Sequence, residues 1–370
     1  MPRVSADRLL DDLVELAGIG GRPDGGVDRI AGSDADVLAR RWLVERMGEA
    51  GLEAGLDEVN NVFGHPPGRG PWLLLGSHTD TVPAGGRLDG AYGVLAALEV
   101  ARTLPGRVAV ASFHDEEGVT GHGFAGSMWF CAGPQVELVS GYLELHVEQG
   151  PRLEAEGLEL GVVGSIVGID RYEVSFRGAA NHAGTTPFAL RRDAGRAAAR
   201  AMAGLRELVL AIDPEMVANV GQVSFEPGAP NVVPGIATFQ VEMRAAVDAS
   251  LKAGEQRLRG EIERIAAEEG CQAEVRSATS WPPVAMFEGY VAALSRVCER
   301  SGRPWRLLDS GAGHDAEILA SHVPAGMLFV PSHDGVSHSP LERTDDRLLV
   351  QGCQALADSV LEILGPEPPS

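Results

Sequence analysis

The stretch Gly76-Ser77-His78-Thr79-Asp80-Thr81-Val82, followed by Gly85-Gly86-Arg87-Leu88-Asp89-Gly90, sets a histidine and two carboxylates among small residues. Neutral imidazole and ionised carboxylate are what a divalent cation needs. In a His-x-Asp triplet one residue can bind the metal while the other orients it. His78 is the expected ligand and Asp80 its support, and Asp89, held between turn-forming glycines, can bridge two metals with its two oxygens. A solvated polar turn is the competing reading of this stretch taken alone. Downstream, His114-Asp115-Glu116-Glu117-Gly118 places two adjacent carboxylates after an apolar run. Neighbouring side chains at a strand end point different ways. Glu117 can therefore bind metal while Glu116 faces substrate as the general base that takes a proton from metal-activated water. An acidic surface turn is the alternative, and it loses ground because a first metal-like cluster already precedes it.

Two more histidines complete the set. His146 lies in the alternating segment Tyr142-Leu143-Glu144-Leu145-His146-Val147-Glu148-Gln149-Gly150, and His338 in a turn-rich loop from Pro331 to Glu342. Either alone would more often be structural. Together the residues supply His78, Asp89 and His146 for one metal, and Asp89, Glu117 and His338 for another, with room left for water.

The elements that must position these residues read as an α/β pattern. Trp72 to Leu75 is a short apolar run, as expected of a buried strand, and its C-terminal end carries the first cluster, where open α/β sheets bind ligands. A helix is expected over Asp34 to Ala50, with Gly51 as its stop, and another over Gly90 to Thr103 before the strand Val108 to Phe113. Around Gly164 the character changes. Strands are expected over Asp170 to Phe176, Val217 to Phe225 and Ala237 to Arg244, with helices over Arg192 to about Leu210 and about Ser250 to Glu269. Two helices on one four-stranded antiparallel sheet make a small α+β domain. Pro282-Pro283 marks the return to the first domain, completed by Met286 to Ser301, Ala325 to Val330 and a helix over Asp345 to Leu364. The expected division is 1–166 with 284–370 for the discontinuous metal-binding domain and 167–283 for the insert. The tail from Gly365 to Ser370 is expected to be disordered.

On these motifs the chain resembles the dinuclear metal amidohydrolases of the M20 peptidase and aminoacylase superfamily, in the branch of N-carbamoyl-L-amino acid hydrolases, β-ureidopropionases and allantoate amidohydrolases. The resemblance runs from about residue 10 to about residue 362. The histidine of Leu143-Glu144-Leu145-His146-Val147-Glu148-Gln149-Gly150-Pro151 marks the branch, since the peptidase and aminoacylase relatives carry a carboxylate there. The resemblance implies a mixed-sheet catalytic domain and an inserted dimerisation or lid domain. It also implies that Asn181-His182-Ala183-Gly184-Thr185-Thr186-Pro187 reaches into the neighbouring subunit, where His182 stabilises the oxyanion of a tetrahedral intermediate in trans. Asn231 and Arg244 would grip the substrate's α-carboxylate, a task that suits an arginine fork. Gln149, Gly313 and His314 would line the same pocket. Between Glu117 and His146 only Val119 to Gly141 intervenes, shorter than in typical members, which implies a more open or differently shaped pocket. The usual Ser-Arg-Phe after the acidic pair is replaced by Val119-Thr120-Gly121-His122-Gly123-Phe124, so His122 is an unassigned histidine near the metals.

Composition sets the limits. With 370 residues two domains are expected. A formal charge of −21 argues against nucleic acid or an anionic membrane as partner. Cys131, Cys271, Cys298 and Cys353 have no paired spacing, and the N-terminus lacks an apolar signal core, which together fit a cytoplasmic enzyme. Ligands without thiolate suit zinc, with manganese, cobalt or nickel also possible. The resulting reading is a homodimeric, metal-dependent amidohydrolase that cleaves the C–N bond of an N-carbamoyl amino acid or related ureido acid bearing a carboxylate. One alternative is a deacylase of N-acyl amino acids or of a specialised amide. Another is a silent, metal-stabilised binding protein, against which the intact Glu116 and the complete ligand set speak.

Overall fold

The computed structural model describes residues 2–121 and 123–365, so His122 and the tail after Gly365 lie outside the described residues. The chain forms two compact units, Met1–Ile166 with Ala285–Ser370, and Val167–Val284.

The first unit is built on a mixed sheet of nine strands among the described residues. Its order runs Glu53–Leu56, Val62–His65, Val108–Phe113, Trp72–His78, Val139–Val147, Ala325–Val330, Leu160–Ile166 and Val284–Ala285, with Trp305–Ser310 also paired to Leu160–Ile166. Four adjacent central strands run parallel: Leu73 pairs with Val108 and with Gly141, and His146 with Phe329. Their C-terminal ends therefore open on one side of the sheet, where ligands bind in this architecture. The strand expected over Trp72 to Leu75 continues to His78, so the expected ligand is the last strand residue rather than part of the loop. Helix Asp34–Glu49 starts at Ser33, whose side chain accepts from the Asp36 N–H. Helix Ala91–Thr103 is buried from Ala91 through Ala101, because it crosses the sheet between other helices and has no solvent face. Apolar and polar residues alternate around His146, yet Gly141 through Val147 are all buried. Central position explains the difference, with Glu144 satisfied by Ser77 Oγ at 2.6 Å and by the Ala316 N–H at 3.0 Å. The short connection after Glu117 folds as helix Ala125–Ala132 and a 3-10 turn Pro134–Leu138, with Ser127 and Phe130 buried.

The second unit is a four-stranded antiparallel sheet in the order Gln272–Trp281, Gly168–Arg177, Ile236–Ala245, Val217–Glu226. Tyr172, Val174 and Phe176 alternate with more exposed neighbours, the period-two pattern of a sheet with one covered face. That face packs on helices Ala194–Ala203, Leu205–Leu210 and Asp248–Glu269 through Ala197, Ala201, Leu251, Leu258 and Ile262. One helix was expected from Arg192 to Leu210. Gly204 divides it into two.

Candidate metal centre and active site

Asp89 lies at the middle of the cluster. Its Oδ1 is 3.3 Å from His146 Nε2 and 3.7 Å from His78 Nε2, and its Oδ2 is 3.1 Å from His338 Nε2. Glu117 Oε2 is 3.4 Å from the same His338 nitrogen. Two groups of three donors that could hold a metal ion follow, His78–Asp89–His146 and Asp89–Glu117–His338, and they share Asp89. The ring tautomers fit this use. His78 Nδ1 lies 3.0 Å from the Asp80 carbonyl oxygen and His146 Nδ1 2.8 Å from that of Val147. A carbonyl only accepts, so both rings carry a proton on Nδ1, which leaves Nε2 facing the Asp89 side; at His146 that nitrogen accepts from the Gly90 N–H at 3.0 Å. Glu117 Oε1 is buried without a hydrogen-bond partner, as a carboxylate reserved for a cation would be.

The electrostatics show the same strain. Burial pushes the Glu117 carboxyl up to about 7, with the Asp89 charge adding to it. Burial and then Asp315, Glu117, Asp89 and Asp80 lift Glu116 well above the usual carboxylate range. Burial opposes an imidazolium at His146, but Asp89 outweighs it and brings the pKa to about 9. The hydrogen bond to Asp89 raises His338 to about 9 as well. Crowded carboxylates deep in the fold are costly unless cations offset them.

Neighbouring groups hold the candidate ligands. Glu342 Oε1 accepts from the main-chain N–H of Leu88 at 2.8 Å and of Asp89 at 3.0 Å, while Oε2 accepts from Ser337 Oγ at 2.8 Å. It thus joins the Asp89 turn to the loop bearing His338. A Cβ on Gly90 would lie 2.4 Å from the His78 ring, and Gly90 also has a φ of 61°, so only glycine lets the turn approach the ligand. Asp80 supports His78 chiefly through its carbonyl. Its carboxylate is 3.8 Å from His78 Nδ1, accepts from the Glu117 N–H at 3.3 Å and lies 3.8 Å from Arg40. Arg40 in turn pairs with Asp36 at 2.8 Å, both fully buried. This pair went unread in the sequence, where Arg40 falls within an ordinary amphipathic helix. Gln149 donates to Asp89 Oδ2 at 3.0 Å, and so sits at the metal cluster itself. His314 is buried, bonded to Ser310 Oγ at 2.9 Å and packed edge-on against the His146 ring, while Gly313 lies against Phe124. Its position fits support of His146 better than direct contact with a ligand.

Three expected site residues lie in the second unit. His182 Nδ1 accepts from the N–H groups of Gly184 at 3.0 Å and Thr185 at 3.1 Å, so its proton is on Nε2, exposed and directed outward as a donor. Asn231 adjoins it, accepting from the Ala183 N–H at 2.9 Å through its carbonyl. Val232 pairs with His182, and the Gly178 N–H to Gly235 carbonyl bond ties this hairpin to the Ile236 end of its sheet strand. Arg244 lies toward the other end of that strand, where its Nε donates to Glu242 at 2.8 Å. At roughly 3.3 Å per residue the separation is about 26 Å.

A mixed sheet with a two-carboxylate, three-histidine cluster beyond the ends of its parallel central strands, joined to an antiparallel α+β insert, defines a metallohydrolase architecture. The sequence profile of peptidase family M20/M25/M40 matches residues 74–362, and the chain belongs to that family. It is 35% identical to allantoate amidohydrolase of Escherichia coli (strain K12), covering 94% of this chain and 95% of that one. It is 32% identical to N-carbamoyl-L-amino-acid amidohydrolase of Rhizobium meliloti, covering 97% of each. Among solved structures it resembles a hydantoinase/carbamoylase family amidase from Burkholderia multivorans, with a TM-score of 0.91, 35% identity and coverage of 97% and 98%.

Proposed function

We propose that the protein is an amidohydrolase that cleaves the ureido C–N bond of an N-carbamoyl amino acid or related ureido acid, with two divalent cations, zinc being the favoured choice. The single observation that carries the reading is the shared Asp89 between two three-donor groups, with Glu116 beside them and not needed as a ligand. Full-length similarity to enzymes named for ureido acids supports the substrate class. Cations held by His78, Asp89, Glu117, His146 and His338 would polarise the scissile carbonyl and lower the pKa of water. Glu116, 3.6 Å from His78 Nε2, takes the proton from the attacking water and delivers it to the leaving nitrogen. For an N-carbamoyl amino acid, water addition and C–N cleavage leave the amino acid, carbon dioxide and ammonia.

The His182 Nε2–H is a donor suited to the oxyanion, and Arg244 to the α-carboxylate. About 26 Å of strand separates Arg244 from Ile236, beyond which lies the hairpin carrying His182, and that is longer than any small ureido acid. A single substrate can meet both only if His182 and Asn231 come from one copy and Arg244 from another. The second unit is therefore the dimerisation element in this reading, and the active site is shared. No helix among the described residues is long and apolar enough to cross a membrane, and the four cysteines are unpaired, in keeping with a cytoplasmic enzyme.

The test is ammonia release by protein loaded separately with zinc and manganese, across N-carbamoyl-L-amino acids, β-ureidopropionate, allantoate and N-acetyl amino acids. Turnover of a ureido acid that vanishes in Glu116→Gln supports the reading. Amine release from the acyl compounds alone assigns a deacylase.

A further inference from the structure

Among the described residues, the three most exposed large apolar side chains are Leu341 at 76%, Leu190 at 75% and Phe188 at 74%. All three lie close in sequence to a site histidine. Phe188 and Leu190 follow His182 in the second unit, and Leu341 follows His338 at the rim of the metal cluster in the first. Exposed leucines scattered singly need no explanation, but a rigidly held apolar pair beside a catalytic donor does.

The turn carrying Phe188 and Leu190 is fastened from several directions. Arg191 donates to the carbonyls of Thr186 at 2.9 Å and Ala183 at 2.6 Å, and its guanidinium lies 4.3 Å from the centre of the Phe188 ring. Thr186 bonds back to the His182 carbonyl through its N–H at 3.1 Å and its hydroxyl at 2.8 Å. The Leu190 N–H reaches the Pro187 carbonyl at 2.9 Å. His182, Phe188 and Leu190 thus form one preformed tip, and ordering it before contact lowers the cost of docking.

We propose that Phe188 and Leu190 of one copy dock on the surface around Leu341 of a second copy, and that this contact positions His182 over the metal cluster. The inference rests on the shared-site reading, since the two patches meet only if His182 acts in trans. The occupant is a second copy because both patches flank histidines of one proposed site and neither is covered within its own unit. Phe188, Leu190 and Leu341 are positioning residues here. They touch each other rather than the substrate.

Mixed dimers test the contact directionally. Pairing a His182→Ala copy with a Glu116→Gln copy leaves one working site, built from the first copy's Glu116 and the second copy's His182. Phe188→Ala with Leu190→Ala, placed on the Glu116→Gln copy, should lower kcat by about tenfold or more with KM within about twofold, as expected when a catalytic group is misplaced. The same pair placed on the His182→Ala copy should have no effect. Leu341→Ala should show the reverse dependence, and Phe188→Met should retain activity as a conservative apolar replacement. If mixed dimers are inactive from the outset, the shared-site reading fails and this contact with it. If they are active but either placement gives the same result, the docking contact alone is overturned.

Discussion

The Asp89 main-chain N–H donates to Glu342 Oε1 across 3.0 Å, although the two residues are 253 positions apart. The other Glu342 oxygen holds Ser337, next to His338, so one carboxylate ties Asp89, common to both donor groups, to the loop bearing His338. Gly86 belongs to the same arrangement, since a Cβ there would fall 2.1 Å from Glu342 Oε1. Groups that orient ligands from behind typically contribute 10- to 100-fold to metal affinity. Glu342→Ala should weaken metal binding by roughly that factor and Glu342→Gln by less, read by competition with a chromogenic chelator. Unchanged affinity in the alanine variant would remove Glu342 from the centre.

Sharing of Asp89 predicts unequal effects of ligand substitution. Metal analysis of reconstituted protein should find two ions per chain. His338→Ala should leave about one, because the His78–Asp89–His146 group remains. Asp89→Ala should leave few or none, because it subtracts a donor from both groups. Equal losses in the two variants would argue against a bridging role.

The pH dependence follows from the raised histidines. His146 and His338 have pKa values of about 9 in the folded chain, against about 6.5 in an unfolded one. A group whose pKa rises on folding contributes stability below its unfolded value and loses it as the pH climbs through the folded one. Glu117, raised to about 7, acts with the same sign at lower pH. The melting temperature of chelator-treated protein should fall between about pH 6 and pH 9. Metal binding needs these ligands deprotonated, so the rise in melting temperature on adding zinc should grow over the same interval. A metal-free protein whose melting temperature stays level from pH 6 to 9 would contradict this assignment.

Part of the proposed centre could be read from residue types, because three of its five expected ligands close or follow a strand-like run, while Asp89 and His338 sit in turns. His78, Glu117 and His146 follow or close such runs, and four parallel neighbours bring them together. Supporting groups were hidden for a physical reason. Arg40, Asp36 and Glu342 are polar residues in segments that look solvated, and only tertiary packing reveals them as buried partners. Strand Gln272–Trp281 was also missed as a named element. It is an edge strand with most side chains exposed, so little hydrophobic alternation marks it. Arg244 could be named by resemblance, but its distance from His182 appears only once the register of Ile236–Ala245 is known.

That register leads to a prediction about assembly. The four-stranded sheet has two free edges. Gln272–Trp281 carries Glu274 and Arg276 in its middle, with Arg276 paired to Glu173 at 2.9 Å. Such charges discourage pairing with another chain. Val217–Glu226 has no charge before Glu226, and it exposes Val217, Val223 and Phe225 at 53%, 47% and 40%. An uncharged, apolar edge invites a second strand, and a copy of the same strand can supply it about a two-fold axis. In the proposed dimer, Val223→Lys or Phe225→Glu should break this pairing and leave monomer in light scattering. The monomer should keep its metal, because the donors all lie in the first unit. Hydrolysis should nevertheless fall by two orders of magnitude or more, the scale of losing an oxyanion donor. A monomeric variant with full activity would show that His182 needs no partner.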